Sequence, residues 1–194
     1  QVKGLELAGH SGRGYKGMSL GYATSPRGGS HQDMRHLPER AGLFDRRDPN
    51  GKAQLNYDIT STTTIRDTFN YCAMIEDVIG RVGLSERHAE LLNAVTGLNF
   101  SVQDVQRLAD RIWNLERAFN VREGMSRKDD ILPYRFMNEP IPEGPSQGMY
   151  CPPEELERMK DELYKLRRWT PEGIPSKELL LDLGLDDVAA ELWP

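Results

Sequence analysis

The residues able to do chemistry in this 194-residue chain fall in two stretches. The first, Gly12 to His31, reads GRGYKGMSLGYATSPRGGSH and combines glycines with Arg13, Lys16 and Arg27 before closing on His31. Glycine lets backbone approach another group closely, and the cations offer donors to phosphate or carboxylate. The stretch therefore reads as backbone laid against a large anionic ligand. His31 is its candidate proton carrier, because histidine ordinarily titrates near neutrality. His10 and His36 flank it as weaker candidates. The second stretch, Asp67 to Cys72, reads DTFNYC. An acid and a thiol five positions apart do not share one helical stripe. Asn70 tolerates left-handed backbone, and a break there would aim both side chains into one site. By residue type alone the default readings are a loop histidine, ordinary surface cations and a core cysteine.

Such residues need elements to hold them, and the periodicity supplies helices. Residues 14–24 read as a helix whose Gly14, Gly17 and Gly21 form one smooth face for close packing, stopped by Pro26 and the Gly28-Gly29 pair. Residues 32–53 read as an irregular connection with a turn at Asp48-Pro49-Asn50-Gly51. Residues 54–82 read as mostly helical, although Thr60 to Thr64 have weak propensity and demand support from packing. Ser85 caps the next helix, with His88 on its surface, and Gly97 ends it. Ser101 to Asp104 resembles a capping box. Val105, Leu108, Ile112, Leu115 and Phe119 follow as an apolar stripe. Residues 121–148 form a long polar, Pro-rich segment. Pro152-Pro153-Glu154-Glu155 opens a helix to about 168 with Leu156, Met159, Leu163 and Leu166 inward. Residues 176–183 and 186–192 read as two short final helices. No strand alternation and no internal repeat appear. The expected fold class is all-α and multihelical, with an irregular Gly/Pro-rich N-terminal segment and long loops between helices.

The run Asn120 to Pro133, NVREGMSRKDDILP, alternates charge in the manner of a solvated face or salt-bridge network. Asp129 and Asp130 are a poor candidate for a catalytic acid–base pair. Together with the two stretches above, this run closely resembles the C-terminal domain of the tungsten-containing aldehyde ferredoxin oxidoreductase family. The family's patterns are RGxKGMxLxYATSPRGxxH, D-x-x-G-L-C and N-x-R-E-G-x-x-R-x-D-D-x-L-P. Segments 92–97, 111–117 and the last 40 or so residues are similar too, so the likeness covers almost the whole chain. Asn70 and Tyr71 stand where the family pattern has Gly and Leu. The resemblance implies that Asp67 contacts a pterin and that Cys72 is one ligand of a 4Fe–4S cluster. It further implies that His31 assists proton transfer at a substrate carbonyl, and that Arg13, Lys16 and Arg27 are candidates for pterin phosphates.

On that resemblance the chain is the third of three domains of a larger oxidoreductase. It would act with N-terminal and middle domains, or a subunit carrying them. The implied activity is oxidation of an aldehyde to a carboxylic acid at a tungsten or molybdenum bis-pterin centre, with electrons passing through the cluster to ferredoxin. Bridging Mg2+ and the other cluster thiolates would come from outside this chain. Two alternatives stay open: a non-enzymatic helical interaction module that has lost the cofactor, and a family relative acting on aromatic thioesters. The composition fits this frame. Basic residues number 25 against 30 acidic, a formal net charge of −5, which gives no argument for nucleic acid or an anionic membrane as partner. No apolar run nears the about 20 residues of a membrane span, no signal peptide is visible, and the expected location is cytoplasmic. The two cysteines, Cys72 and Cys151, make no disulfide framework, and a complete cluster normally takes four thiolates.

Overall fold

The computed structural model describes residues 1–73 and 82–194. The helices are α1 (Lys16–Thr24), α2 (Leu37–Arg40), α3 (Lys52–Phe69), α4 (Glu86–Thr96), α5 (Val102–Arg122), α6 (Tyr134–Asn138), α7 (Pro153–Leu166), α8 (Lys177–Asp182) and α9 (Asp186–Leu192). Among the described residues there is no strand, only isolated bridges at Val2–Leu5 and Trp169–Pro175. The all-α expectation holds.

Helix α3 is the central pillar and packs against α1, α5 and α7. Thr60 and Thr62 to Thr64 are buried and Thr68, at the end of the helix, is exposed; the hydroxyls of Thr60, Thr64 and Thr68 turn back onto their own helix. Thr60 Oγ1 donates to Asn56 O at 2.8 Å, Thr64 to Thr60 O at 2.8 Å and Thr68 to Thr64 O at 2.7 Å. These bonds satisfy polar groups that would otherwise be costly inside. The expected helix over 54–82 ends at Phe69; residues 74–81 lie outside the described residues. Asn70 takes the left-handed conformation (φ 57°, ψ 38°), and its N–H donates to Asp67 O at 3.3 Å while Tyr71 N–H reaches Arg66 O at 3.4 Å.

Helix α1 begins at Lys16, two residues later than the periodicity suggests; Gly12–Gly14 form a 3-10 turn instead. Every residue of α1 is buried. Its glycine face packs on protein: a Cβ on Gly17 would lie 2.4 Å from the His36 ring, and one on Gly21 would lie 2.2 Å from Met34 Cγ. This corrects the reading of the stretch as backbone laid against a ligand, because those glycines admit the protein's own residues.

Four other expectations change. On α5 the buried face is Val105, Ala109, Trp113, Asn114, Arg117 and Ala118, whereas Leu115 and Phe119 are 45% and 55% exposed. The apolar stripe misled because a polar face, Asn114 and Arg117, is the one turned inward. His88 is buried, and its Nδ1 accepts from Ser85 N–H at 3.0 Å, taking the reciprocal place in a capping box. On α7, Leu156, Met159 and Leu163 are buried as expected, but Leu166 is exposed. The segment 121–148 is not wholly irregular, since it holds a 3-10 turn at Arg127–Asp129 and α6.

The main core joins Val2, Met18, Leu20, Tyr22 and Met34 to Leu55, Leu156, Met159 and Leu163. Cys151 sits inside it, where burial first, then Glu155, pushes its thiol up to about 12. A second cluster, Trp113, Tyr164, Trp169 and Leu180 among its members, seats the C-terminal helices.

Candidate functional site

The segment from Ser25 to Arg40 contributes residues to two hollows, and His31 falls in one while Arg27 and Asp67 fall in the other. The first is a cleft of about 510 Å³ lined by His10, Tyr15, His31, Arg35, His36 and Arg40, with Met18 and Leu37 at its apolar part. The His10 and His31 rings lie 5.0 Å apart, tilted at 57°. Burial, then His10 and Arg35, hold the His31 pKa below its usual value. His31 is thus a free base at neutral pH, able to accept a proton. Gln32 Nε2 lies 3.1 Å from His31 Nε2 and orients the ring.

His36 is set deeper. Its Nδ1 lies 3.0 Å from Glu39 Oε2, both side chains fully buried. Lys52 Nζ reaches Glu39 Oε1 at 2.9 Å, and Gly17 N–H donates to the same oxygen at 3.2 Å. Burial alone would raise the Glu39 pKa, but the bonds from His36 and Lys52 win and hold it below the usual carboxylate range.

The second hollow, about 240 Å³, is lined by Arg27, Asp33, Asp67, Glu116, Trp113 and residues of the α3 threonine run. Arg27 Nη2 lies 2.8 Å from Asp33 Oδ1, with about half the arginine side chain exposed. Ser25 Oγ donates to Asp33 Oδ2. Asp67, 47% exposed, receives Arg66 Nε at 2.9 Å. Arg66 is the residue the sequence reading missed: its Nη2 also reaches Gln32 O at 3.4 Å, joining Asp67 to the backbone beside His31. No periodicity or motif in the threonine run marks it out.

The remaining candidates lie elsewhere. Lys16 is buried; its Nζ lies 2.5 Å from Glu155 Oε1 and donates to Tyr150 O. Arg13 Nη1 donates to Glu139 O at 2.9 Å, its guanidinium 6.0 Å above the Phe136 ring. Cys72 is a free, exposed thiol just past the Asn70 turn. Among the described residues no group of three or more His, Cys, Asp or Glu is placed to hold a metal ion, and no helix is long and apolar enough to cross a membrane.

This order of helices, with a histidine after a buried glycine helix and an acid and thiol flanking the end of α3, defines a multihelical all-α domain. The chain belongs to the aldehyde ferredoxin oxidoreductase family, whose description "Aldehyde ferredoxin oxidoreductase, domains 2 & 3" matches residues 1–185. It is 37% identical over 95% of its length to the tungsten-containing aldehyde ferredoxin oxidoreductase of Pyrococcus furiosus. The enzyme of that name from Thermococcus kodakarensis is 35% identical over 95% of the chain. In both cases the chain spans 30% of the relative's length. A more distant relative, the aliphatic sulfonate oxidoreductase WOR-like subunit of Pyrococcus furiosus, is 26% identical over 98% of the chain and 28% of its own length. Among solved structures, the BamBC active-site complex of benzoyl coenzyme A reductase shares the fold. The TM-score is 0.64 at 22% identity, over 97% of this chain and 32% of that one.

Proposed function

We propose that this chain serves as one helical domain of a ferredoxin-linked enzyme that oxidises aldehydes to carboxylic acids. The balanced reaction is RCHO + H2O → RCOOH + 2 H+ + 2 e−, with two ferredoxins each taking one electron. The observation carrying this reading is the end of α3: the left-handed Asn70 stands between a half-exposed Asp67 and a free, exposed Cys72. A tungsten or molybdenum bis-pterin and a 4Fe–4S cluster, when bound, supply the two-electron acceptor and the one-electron relay. The residues present fit a share of that assembly. Cys72 offers the thiolate that iron takes, with no disulfide partner to occupy it. Asp67 offers carboxylate oxygens to pterin N–H groups, and Arg27 offers an accessible guanidinium. Lys16 is committed to Glu155 and Arg13 to Glu139 O, so both support the domain's own packing. The other cluster thiolates and any Mg2+ ligands come from the remainder of the enzyme. His31 accepts the proton released as water adds to the carbonyl, held as a free base by its burial and by His10 and Arg35.

The test is Cys72→Ser in the full-length enzyme, assayed for iron, acid-labile sulfide and tungsten. Iron and sulfide should drop sharply while tungsten is retained. An unchanged iron and sulfide content would overturn the role of Cys72. A wild-type enzyme with no iron, tungsten or molybdenum would favour a helical interaction module instead.

A further inference from the structure

Helix α5 presents a polar side to a third hollow, away from the His31 cleft. Gln103, Gln106, Arg107, Asp110 and Asn114 recur along it at three- and four-residue spacing. They line about 410 Å³ of space bordered also by Tyr57 of α3, the end of α7 and Asp182 of α8. Arg167 is the buried cation of this hollow, with 1% of its side chain exposed. Its guanidinium packs against the Tyr57 and Trp113 rings, 4.6 and 4.8 Å from their centroids, and Nη2 donates to Thr60 Oγ1. Nε and Nη1 have no hydrogen-bond partner among the described residues. The carboxylate beside them, Asp110, stands 3.6 Å from Nη1, and both its oxygens already accept from Tyr57 Oη, at 2.9 and 2.8 Å. Burial pulls the Arg167 pKa down to about 10, with Asp110 opposing, so the group is still a cation at neutral pH. A buried cation with open N–H groups is costly until an acceptor meets it. Arg107 stands exposed at the same hollow. Its Nη2 donates to the Asp182 carbonyl, and its other N–H groups have no partner among the described residues. The Asp182 carboxylate is taken by Arg168 at 2.6 Å. Three guanidiniums therefore meet two carboxylates, both engaged.

We propose that this hollow is an effector site, which takes the oxyanion of a small metabolite, carboxylate or phosphate, between Arg167 and Arg107. Guanidinium N–H groups are matched to the oxygens of either anion, and the volume suits a small molecule. The bound anion supplies the acceptor that Arg167 lacks and ties the end of α7 to α5 and α8. Because only the folded chain brings these arginines together, the ligand stabilises the domain in proportion to its concentration. The site is independent of the reaction the enzyme performs and is read without turnover.

The experiment uses the full-length enzyme, titrated by calorimetry and unfolded thermally with inorganic phosphate and with succinate, against sodium chloride at the same ionic strength. At least one of the two oxyanions should bind saturably and raise Tm, and the comparison tells phosphate from carboxylate as the preferred group. Arg107→Glu should weaken that binding by about tenfold or more, the usual loss of a hydrogen bond to a charged group. Arg107→Lys should restore part of it. Arg167→Lys keeps the charge but removes the Nε–H donor, so it should also weaken binding. Arg107 is exposed, so its variants test the site even where the buried substitution unfolds the chain. Phosphate and succinate acting no differently from chloride, or binding that Arg107→Glu leaves unchanged, overturns the proposal.

Discussion

His31 and His10 are the pair where a single side chain should tune the chemistry. Their rings are 5.0 Å apart, and burial first, then His10 and Arg35, depress the His31 pKa. The groups facing His31 across the cleft are His10, Tyr15, Arg35, His36 and Arg40. A base with a lowered pKa stays unprotonated further into acid, so under the proposed role of His31 activity should persist below the usual histidine range and be lost as pH falls through the His31 value. His10→Asn removes one of the groups that oppose protonation of His31. The acid limb of kcat/KM for a neutral aldehyde should therefore move to higher pH, with the plateau little changed. Movement to lower pH, or none, would show that His10 does not act on His31 electrostatically. His31→Gln should lower the plateau itself by about a hundredfold or more, the usual loss when a general base is removed.

At the scale of elements, α1 shows how glycine spacing becomes a site. Gly17 leaves room for the His36 ring, and that ring is pinned from behind by Glu39 and Lys52. Gly17→Ala gains up to about 1 kcal/mol in helix propensity, but its Cβ would stand 2.4 Å from a ring with nowhere to retreat. Overpacking of that kind costs about 1–3 kcal/mol, so the variant should be destabilised in urea and should disturb the His31 cleft. Gly9→Ala, with nothing within 4 Å of its Cβ, should be close to neutral; equal effects of the two would defeat the argument. The glycine spacing was legible in the sequence as a close-packing face, but its partner was not. His36 and Met34 arrive from the segment after α1, and no local pattern announces that return. The break at Asn70 was legible because the left-handed tolerance of asparagine is a local property. The inward face of α5 was not, because Arg117 and Asn114 are buried by partners far along the chain. Trp169 Nε1 donates to Asn114 Oδ1 at 2.6 Å, and the Trp169 ring stacks 4.7 Å from the Arg117 guanidinium.

Across the whole molecule the decisive contact is Asp130, which hydropathy would place in a solvated charge run. It is fully buried, and it gathers the N-terminal segment, α5 and α7 around one carboxylate. Lys3 Nζ lies 2.7 Å from Oδ1, and Arg117 lies 3.0 Å from Oδ1 through Nη1 and 2.8 Å from Oδ2 through Nη2. Tyr164 Oη donates to Oδ2, and Lys160 Nζ donates to the Asp130 carbonyl at 3.0 Å. Burial alone would raise the carboxyl pKa, but Lys3 and Arg117 win and hold it below the usual range. A depressed pKa means that this stability is present above the unfolded value, about 4, and is lost as pH falls through the folded one. Asp130→Asn keeps the shape and strands two buried cations, which costs about 3–5 kcal/mol. Asp129→Asn, one residue away, removes only the carboxylate that accepts from Ser126 N–H at 2.9 Å, so its cost should be about 1 kcal/mol. Urea titrations across pH separate the two readings of this acidic pair. The gap between wild type and Asp130→Asn should be widest at neutral pH and shrink below about pH 4, where the unfolded chain takes up a proton that the folded carboxylate still excludes. A gap that stays constant with pH, or one no larger than that of Asp129→Asn, would mean that the carboxylate is not what fastens the N-terminal segment to the helical body.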